Sequence, residues 1–144
     1  MSFGLSIRSV TVAPAALLLL QLAAGCTSFD RLRAGDPTVD EQEVFAAGQA
    51  GDRGELTDAL HDLLDRHEGY STEVVVAAIS ALAERGDPAS VAHVAPLATH
   101  QDEEVRWHVA VALKALGGGE ARAVLERMGH DDPSELVREE ALSK

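Results

Sequence analysis

The chain has 144 residues, 46% of them hydrophobic but only 3% aromatic, and carries a formal charge of −12. That length allows one small domain, and an apolar mass drawn from Ala, Val and Leu favours closely packed helices over strands. So acidic a surface repels phosphate backbones and anionic lipid heads, which excludes nucleic acid as a partner. It suits basic partners or loosely held divalent cations, and it also serves solubility alone.

Residues 1–9 are short and polar with one positive charge, Arg8. Val10 to Leu22 form an apolar stretch containing Leu17-Leu18-Leu19-Leu20, and the small residues Ala23-Ala24-Gly25 follow. This is the three-part layout of a secretory signal. The apolar run is short for a membrane span, and Pro14 interrupts it. Cys26 is the single cysteine, so it has no internal disulfide partner. Its place at the end of the run points to processing rather than to nucleophilic chemistry, which needs a neighbouring base.

At Leu22-Ala23-Ala24-Gly25-Cys26 the segment resembles the lipobox of bacterial lipoproteins, with Ala23 where that family commonly carries leucine. The resemblance implies cleavage between Gly25 and Cys26, a diacylglycerol on the Cys26 sulfur, and acylation of the new amino terminus by a palmitate-type chain. Several chains together give an anchoring that one alone does not. The implied location is the bacterial cell envelope. Thr27 after the cysteine, in place of an aspartate, points to the outer membrane, on its periplasmic or surface face. Residues 1–25 are read as the leader. Residues 26–40 are read as the lipidated cysteine and a flexible tether, since 27–40 carry Gly, Pro and Asp without sustained periodicity.

Residues 41–144 form a repeat domain. Val74, Ala78, Ile79, Ala81, Leu82 and Gly86 each stand 31 residues before Val105, Val109, Ala110, Ala112, Leu113 and Gly117. A third copy starts at Val137-Arg138, 32 residues after Val105-Arg106, and a weaker one covers Val44 to Asp52. Each unit reads as a helical hairpin. The first helices, 72–85 and 103–116, are apolar nearly all round and need cover on several sides, which stacked neighbours supply. Ser71 and Asp102 are placed to cap them, ahead of Val74 and Val105. The second helices are amphipathic: Leu56, Ala59, Leu60, Leu63 and Leu64 make one stripe, Val91, Val94, Ala95 and Ala98 another, and Ala121, Val124, Leu125 and Met128 a third. Gly51-Asp52, Gly86-Asp87-Pro88 and Gly117-Gly118-Gly119 supply turns, and Pro96 predicts a kink or a late helix start. A polar helix near 133–143 closes the stack as its terminal cap. The fold class expected is an all-α, short α-solenoid of about three hairpins plus a terminal capping helix.

The stretch Asp102-Glu103-Glu104-Val105-Arg106, Ala110, Ala112-Leu113 and Gly117 resembles the HEAT-type repeat found in phycobilin lyase subunits, and Asp132 to Arg138 starts another copy. The resemblance implies an interaction scaffold in most members and an enzyme in some, so fold alone does not choose the activity. Deoxyhypusine hydroxylase, a di-iron enzyme built from such repeats, uses several His-Glu dipeptides. Here only His67-Glu68 is present, which cannot surround two irons.

Six histidines raise the question of metal. His93 and His100 are seven apart, hence on one helical face but two turns distant, and His61 with Asp65 is an i, i+4 pair on a solvated face. No metal site, no other cofactor and no catalytic residue is expected, since phosphate loops, nucleophile elbows and His-Glu-x-x-His motifs are all missing. Arg106 and Arg138 recur at one repeat position, and Arg106 is expected to pair with Asp131 or Asp132 of the next unit. Trp107 is either a core filler or an exposed anchor for a partner. The function expected is protein–protein interaction with an envelope partner, through Asp58, His61, Asp62, Asp65, His93, His100 and Trp107. No small-molecule ligand is expected. A metal-dependent or lyase-like enzyme, and a purely structural lipoprotein, are the alternatives.

Overall fold

A computed structural model of the chain describes residues 28–50 and 53–143. The leader, Gly25 and Cys26 lie outside the described residues. Helical backbone over residues 28–33 (α1) leads to α2 (Glu41–Ala50), α3 (Arg53–Asp65), α4 (Thr72–Arg85), α5 (Val91–Val94), α6 (Glu103–Leu116), α7 (Gly118–Asp131) and α8 (Glu135–Leu142). Helices α2, α4, α6 and α8 pack in series as a first row, and α3, α5 and α7 cover them as a second. The chain is therefore a short all-α solenoid of helical hairpins, closed by a single helix.

The first row lies at the centre because its helices carry apolar residues on more than one face. Val74, Val75, Ala78, Ile79 and Leu82 are buried on α4, as are Val105, Val109, Ala110, Ala112, Leu113 and Leu116 on α6. A helix of that kind is stable in water only between neighbours on both sides. The second-row stripes are buried at Leu56, Ala59, Leu60, Leu63 and Leu64, at Val91 and Val94, and at Ala121, Val124 and Met128.

Local chemistry starts and stops the helices. The Ser71 hydroxyl accepts from the Val74 N–H at 3.4 Å, and the Ser134 hydroxyl does the same for Val137. Asp102 caps one residue earlier than its spacing suggests: its carboxylate accepts from the Glu104 N–H at 2.9 Å. The other Asp102 oxygen accepts from the Thr72 hydroxyl at 3.3 Å, tying the amino ends of α4 and α6 together. Gly86 ends α4 in the left-handed region, with φ at 68°. No atom stands where a Cβ would be added, so Gly86→Ala is expected to cost about 1 kcal/mol from backbone strain alone. A urea midpoint unchanged by that substitution would show that the turn relaxes into another conformation.

Two expectations are corrected. The second helix of the middle unit, where Pro96 predicted a kink or a late start, is broken outright instead. It runs as 3-10 turn Pro88–Ser90, α5, and 3-10 turn Ala95–Thr99. Pro88 opens the segment, where no N–H is needed, but Pro96 falls where an α-helical N–H would bond the carbonyl four residues back, so α5 cannot run through it. The segment expected to be a tether is packed on the domain over 28–40. Leu32 and Val39 enter the core. Arg31 binds Asp36 at 2.9 Å, the Thr38 hydroxyl at 2.7 Å, and Glu43 on α2. Asp40 and Glu43 cap α2 reciprocally: the Asp40 carboxylate accepts from the Glu43 N–H at 2.8 Å, and the Glu43 carboxylate from the Asp40 N–H at 3.0 Å. The element is too short to show a period. The capping box D-x-x-E was the readable signal.

Candidate functional site

On the second row, Asp58, Asp62 and Asp65 of α3 are all exposed, while the leucines between them are buried. Helical spacing produces this division, since the three acids share one face and the apolar stripe takes the other. His61 lies half-buried among them. Its ring stacks on His93 of the next unit, with centroids 3.9 Å apart and planes 9° from parallel. His93 Nδ1 lies 2.9 Å from an Asp65 carboxylate oxygen, and His61 Nε2 lies 2.9 Å from the fully buried Ser90 hydroxyl. Asp65 thus serves the histidine of the following repeat rather than His61 on its own helix. These contacts bridge the first and second units at the outer surface. A groove of about 850 Å³ opens beside them, lined in part by Asp58, Glu84, Asp87, Phe45 and the two rings.

Burial, and after it the neighbouring His93, hold the His61 imidazole below the ordinary histidine value, against the pull of Asp58, Asp87 and Asp65. The folded protein therefore binds fewer protons at His61 than the unfolded chain. Its contribution to stability is present above about pH 6.5 and is lost as pH falls through that value towards the depressed folded one. Urea denaturation at about pH 7.5 and about pH 5.5 should show less stability at the lower pH, and a smaller loss in His61→Gln. Equal losses in both proteins would remove His61 as the cause.

The structure does not bring His100 to this place. The reading that put His93 and His100 on one helical face assumed a continuous helix, and α5 stops at Val94. His100 instead meets His67 edge-on at 5.5 Å, and its Nδ1 accepts from the Asp102 N–H at 3.1 Å. That bond leaves the proton on Nε2. Trp107 is also elsewhere, on first-row helix α6, half-buried against the core and edge-on to His108 at 4.9 Å. Among the described residues no three His, Cys, Asp or Glu groups are arranged to hold a metal ion, and no helix is long and apolar enough to cross a membrane.

Among the described residues, the buried charged groups form a structural tie. Arg106 Nε and Nη2 donate to the two oxygens of Asp132 at 2.9 and 3.2 Å, and its Nη1 reaches the His100 and Gln101 carbonyls at 2.9 and 3.1 Å. The expected ladder is thus formed with Asp132, while Asp131 is exposed. Arg138 repeats the backbone half of the motif, donating to the Asp132 carbonyl at 2.6 Å. The hydrogen bond to Asp132 and, against burial, the Asp132 charge raise the Arg106 pKa further, so the guanidinium stays charged and acts as a tie. Sequence reasoning missed Ser90 and Thr57, both buried polar residues at the junction of the first two units. Arg85 donates to the Thr57 hydroxyl at 2.8 Å. The separations in sequence, 29 residues from His61 to Ser90 and 28 from Thr57 to Arg85, are close to one repeat.

A family model described as HEAT repeats matches residues 58–143. No curated protein and no solved structure matches the chain. The match covers more than half of the sequence and coincides with the stacked hairpins from α3 to α8, so the chain belongs to the HEAT-repeat family.

Proposed function

We propose that this chain is a lipid-anchored docking scaffold of the bacterial cell envelope, not an enzyme, and that its second-row face receives a basic surface of an envelope protein. The observation that carries the reading is the exposed row Asp58, Asp62 and Asp65 on a helix whose other face is core. A rigid repeat displays such charges without paying the entropy of ordering a loop, and charge complementarity of this kind speeds and orients association. Support for the anchor is the run from Val10 to Leu22 followed by Ala23-Ala24-Gly25-Cys26, with the lipid on Cys26 and an outer-membrane location as its consequence. The likeness of Asp102 to Gly117 to phycobilin lyase repeats bears on repeat type. The export leader separates this chain from a cytosolic lyase activity.

Two measurements test the reading. Cells fed labelled palmitate should incorporate it into the protein, and Cys26→Ala should abolish incorporation and release the chain from membranes. Crosslinking in intact cells should then trap one reproducible envelope protein, lost when Asp58, Asp62 and Asp65 are all changed to lysine. A partner retained by that variant, or none above an unrelated lipoprotein, would overturn the docking face. Unlabelled protein would overturn the anchor.

A further inference from the structure

A second recessed surface lies on the first row, away from the acidic face of α3. It is a groove of about 450 Å³ formed by the amino end of α6, with Asp102, Glu103, Glu104, Trp107 and His108, and by Leu136 of α8. Aligning the first helices shows that stacking does not call for its apolar members. The residue 31 before Trp107 is Val76, which is also half-buried against the core, so a valine fills that repeat position. The residue before the first buried valine is Glu73 on α4 and Glu104 on α6, both exposed, but on α8 it is Leu136, which is 55% exposed. An indole and a leucine therefore stand at places where this fold elsewhere uses a smaller or a charged residue.

The carboxylates around them are not equivalent. Asp102 is committed to the Glu104 N–H and the Thr72 hydroxyl. The side chains of Glu103 and Glu104 are exposed and make no hydrogen bond or ion pair with the described residues. The Arg106 guanidinium feels the charge of Glu103, but its hydrogen bonds go to Asp132 and two carbonyls. The groove thus offers an indole with His108 edge-on to it at 4.9 Å, a leucine and two exposed carboxylates without a hydrogen-bond partner among the described residues. An anionic ligand is repelled, and a wholly apolar one would desolvate the carboxylates without return.

We infer that this groove binds an arginine side chain of a protein partner, with the guanidinium against the Trp107 ring and donating to Glu103 or Glu104, and an adjacent apolar side chain of the partner on Leu136. Arginine fits better than lysine because its flat, weakly hydrated group stacks on an indole while its edge donates to carboxylates. The surface is independent of the α3 face, so either can fail without the other.

The test uses the full chain, purified in a phosphocholine-free detergent, as bait for a phage-displayed library of random peptides. The expected result is enrichment of arginine beside a leucine, valine or phenylalanine. A dye-labelled peptide of the enriched sequence should bind by anisotropy and should shift the emission of Trp107, the only tryptophan. Trp107→Val, which copies the residue of the preceding repeat and so spares the stack, should weaken binding by roughly tenfold, as should Glu103→Lys with Glu104→Lys. Replacing the peptide's arginine by lysine should weaken it less, and by alanine more. Charge reversal at Asp58, Asp62 and Asp65 should leave binding unchanged. Enrichment of peptides without a basic residue, binding indifferent to Trp107→Val or to the glutamate reversal, or no enrichment above an unrelated protein would overturn the proposal. So would a Trp107 emission shift produced by phosphocholine micelles that displaces the peptide, since the site would then take a lipid headgroup.

Discussion

Asp132→Ala is expected to destabilise the domain by about 3–5 kcal/mol, because it leaves the Arg106 guanidinium buried without its counter-charge. Both residues are only 7% exposed. The lost carboxylate also accepts from the Ser134 N–H at 2.9 Å, at the turn that starts α8. Breaking one partner of such a pair costs more than the pair is worth, since the desolvation of the remaining ion is no longer offset. The graded series follows from this. Asp132→Asn keeps an acceptor for Ser134 and should fall between wild type and Asp132→Ala. Arg106→Met combined with Asp132→Asn removes both charges and should recover much of the loss. Urea denaturation followed by circular dichroism reads all three. Buried charges are poorly screened, so the ranking should hold at high salt. A wild-type midpoint for Asp132→Ala would mean that the pair contributes nothing to the stack.

Leu113→Ala is expected to cost about 2–5 kcal/mol. Leu113 has no exposed surface, and its helix touches α4, α7 and α8. Truncation removes apolar contacts and leaves a cavity that stiff neighbouring helices close only in part. In a stack of units the loss falls on interfaces on both sides, so unfolding should become less cooperative as well as easier. The conservative change Ile79→Val, also at a fully buried site, should cost about 0.5–1.5 kcal/mol and sets the scale for the comparison. A fall in the denaturant slope for Leu113→Ala, beside an unchanged slope for Ile79→Val, is the expected pattern. Equal midpoints for the two would show that the stack collapses around the missing side chain.

Helices α4 and α6 are legible in the sequence to the residue, because dense apolar faces, a capping Ser or Asp before them and Gly86 or Gly117 after them all agree. The Arg106–Asp132 tie is legible too, since a charge recurring at one repeat position next to an apolar run must find its partner in the adjacent unit. The candidate face was read only in part. Asp58, Asp62 and Asp65 share a face through helical phase, a local property. The stacking of His61 on His93 depends on how far one hairpin is displaced along the next, which no local period records. His100 was misplaced because one proline changed the backbone between it and His93.

The sequence by itself determined the helical class, the repeat length, which faces are buried and the acidic surface, because these follow from side-chain type and a period of 3.6 residues. Only the tertiary structure decided which side chains meet across units: Ser90 with His61, Asp65 with His93, Thr72 with Asp102, and Leu32 and Val39 with the core. The physical reason is one of range. Hydrogen bonding and helical phase act over a few residues, whereas these meetings depend on the offset and tilt between stacked hairpins, which are set by the summed packing of many side chains at once.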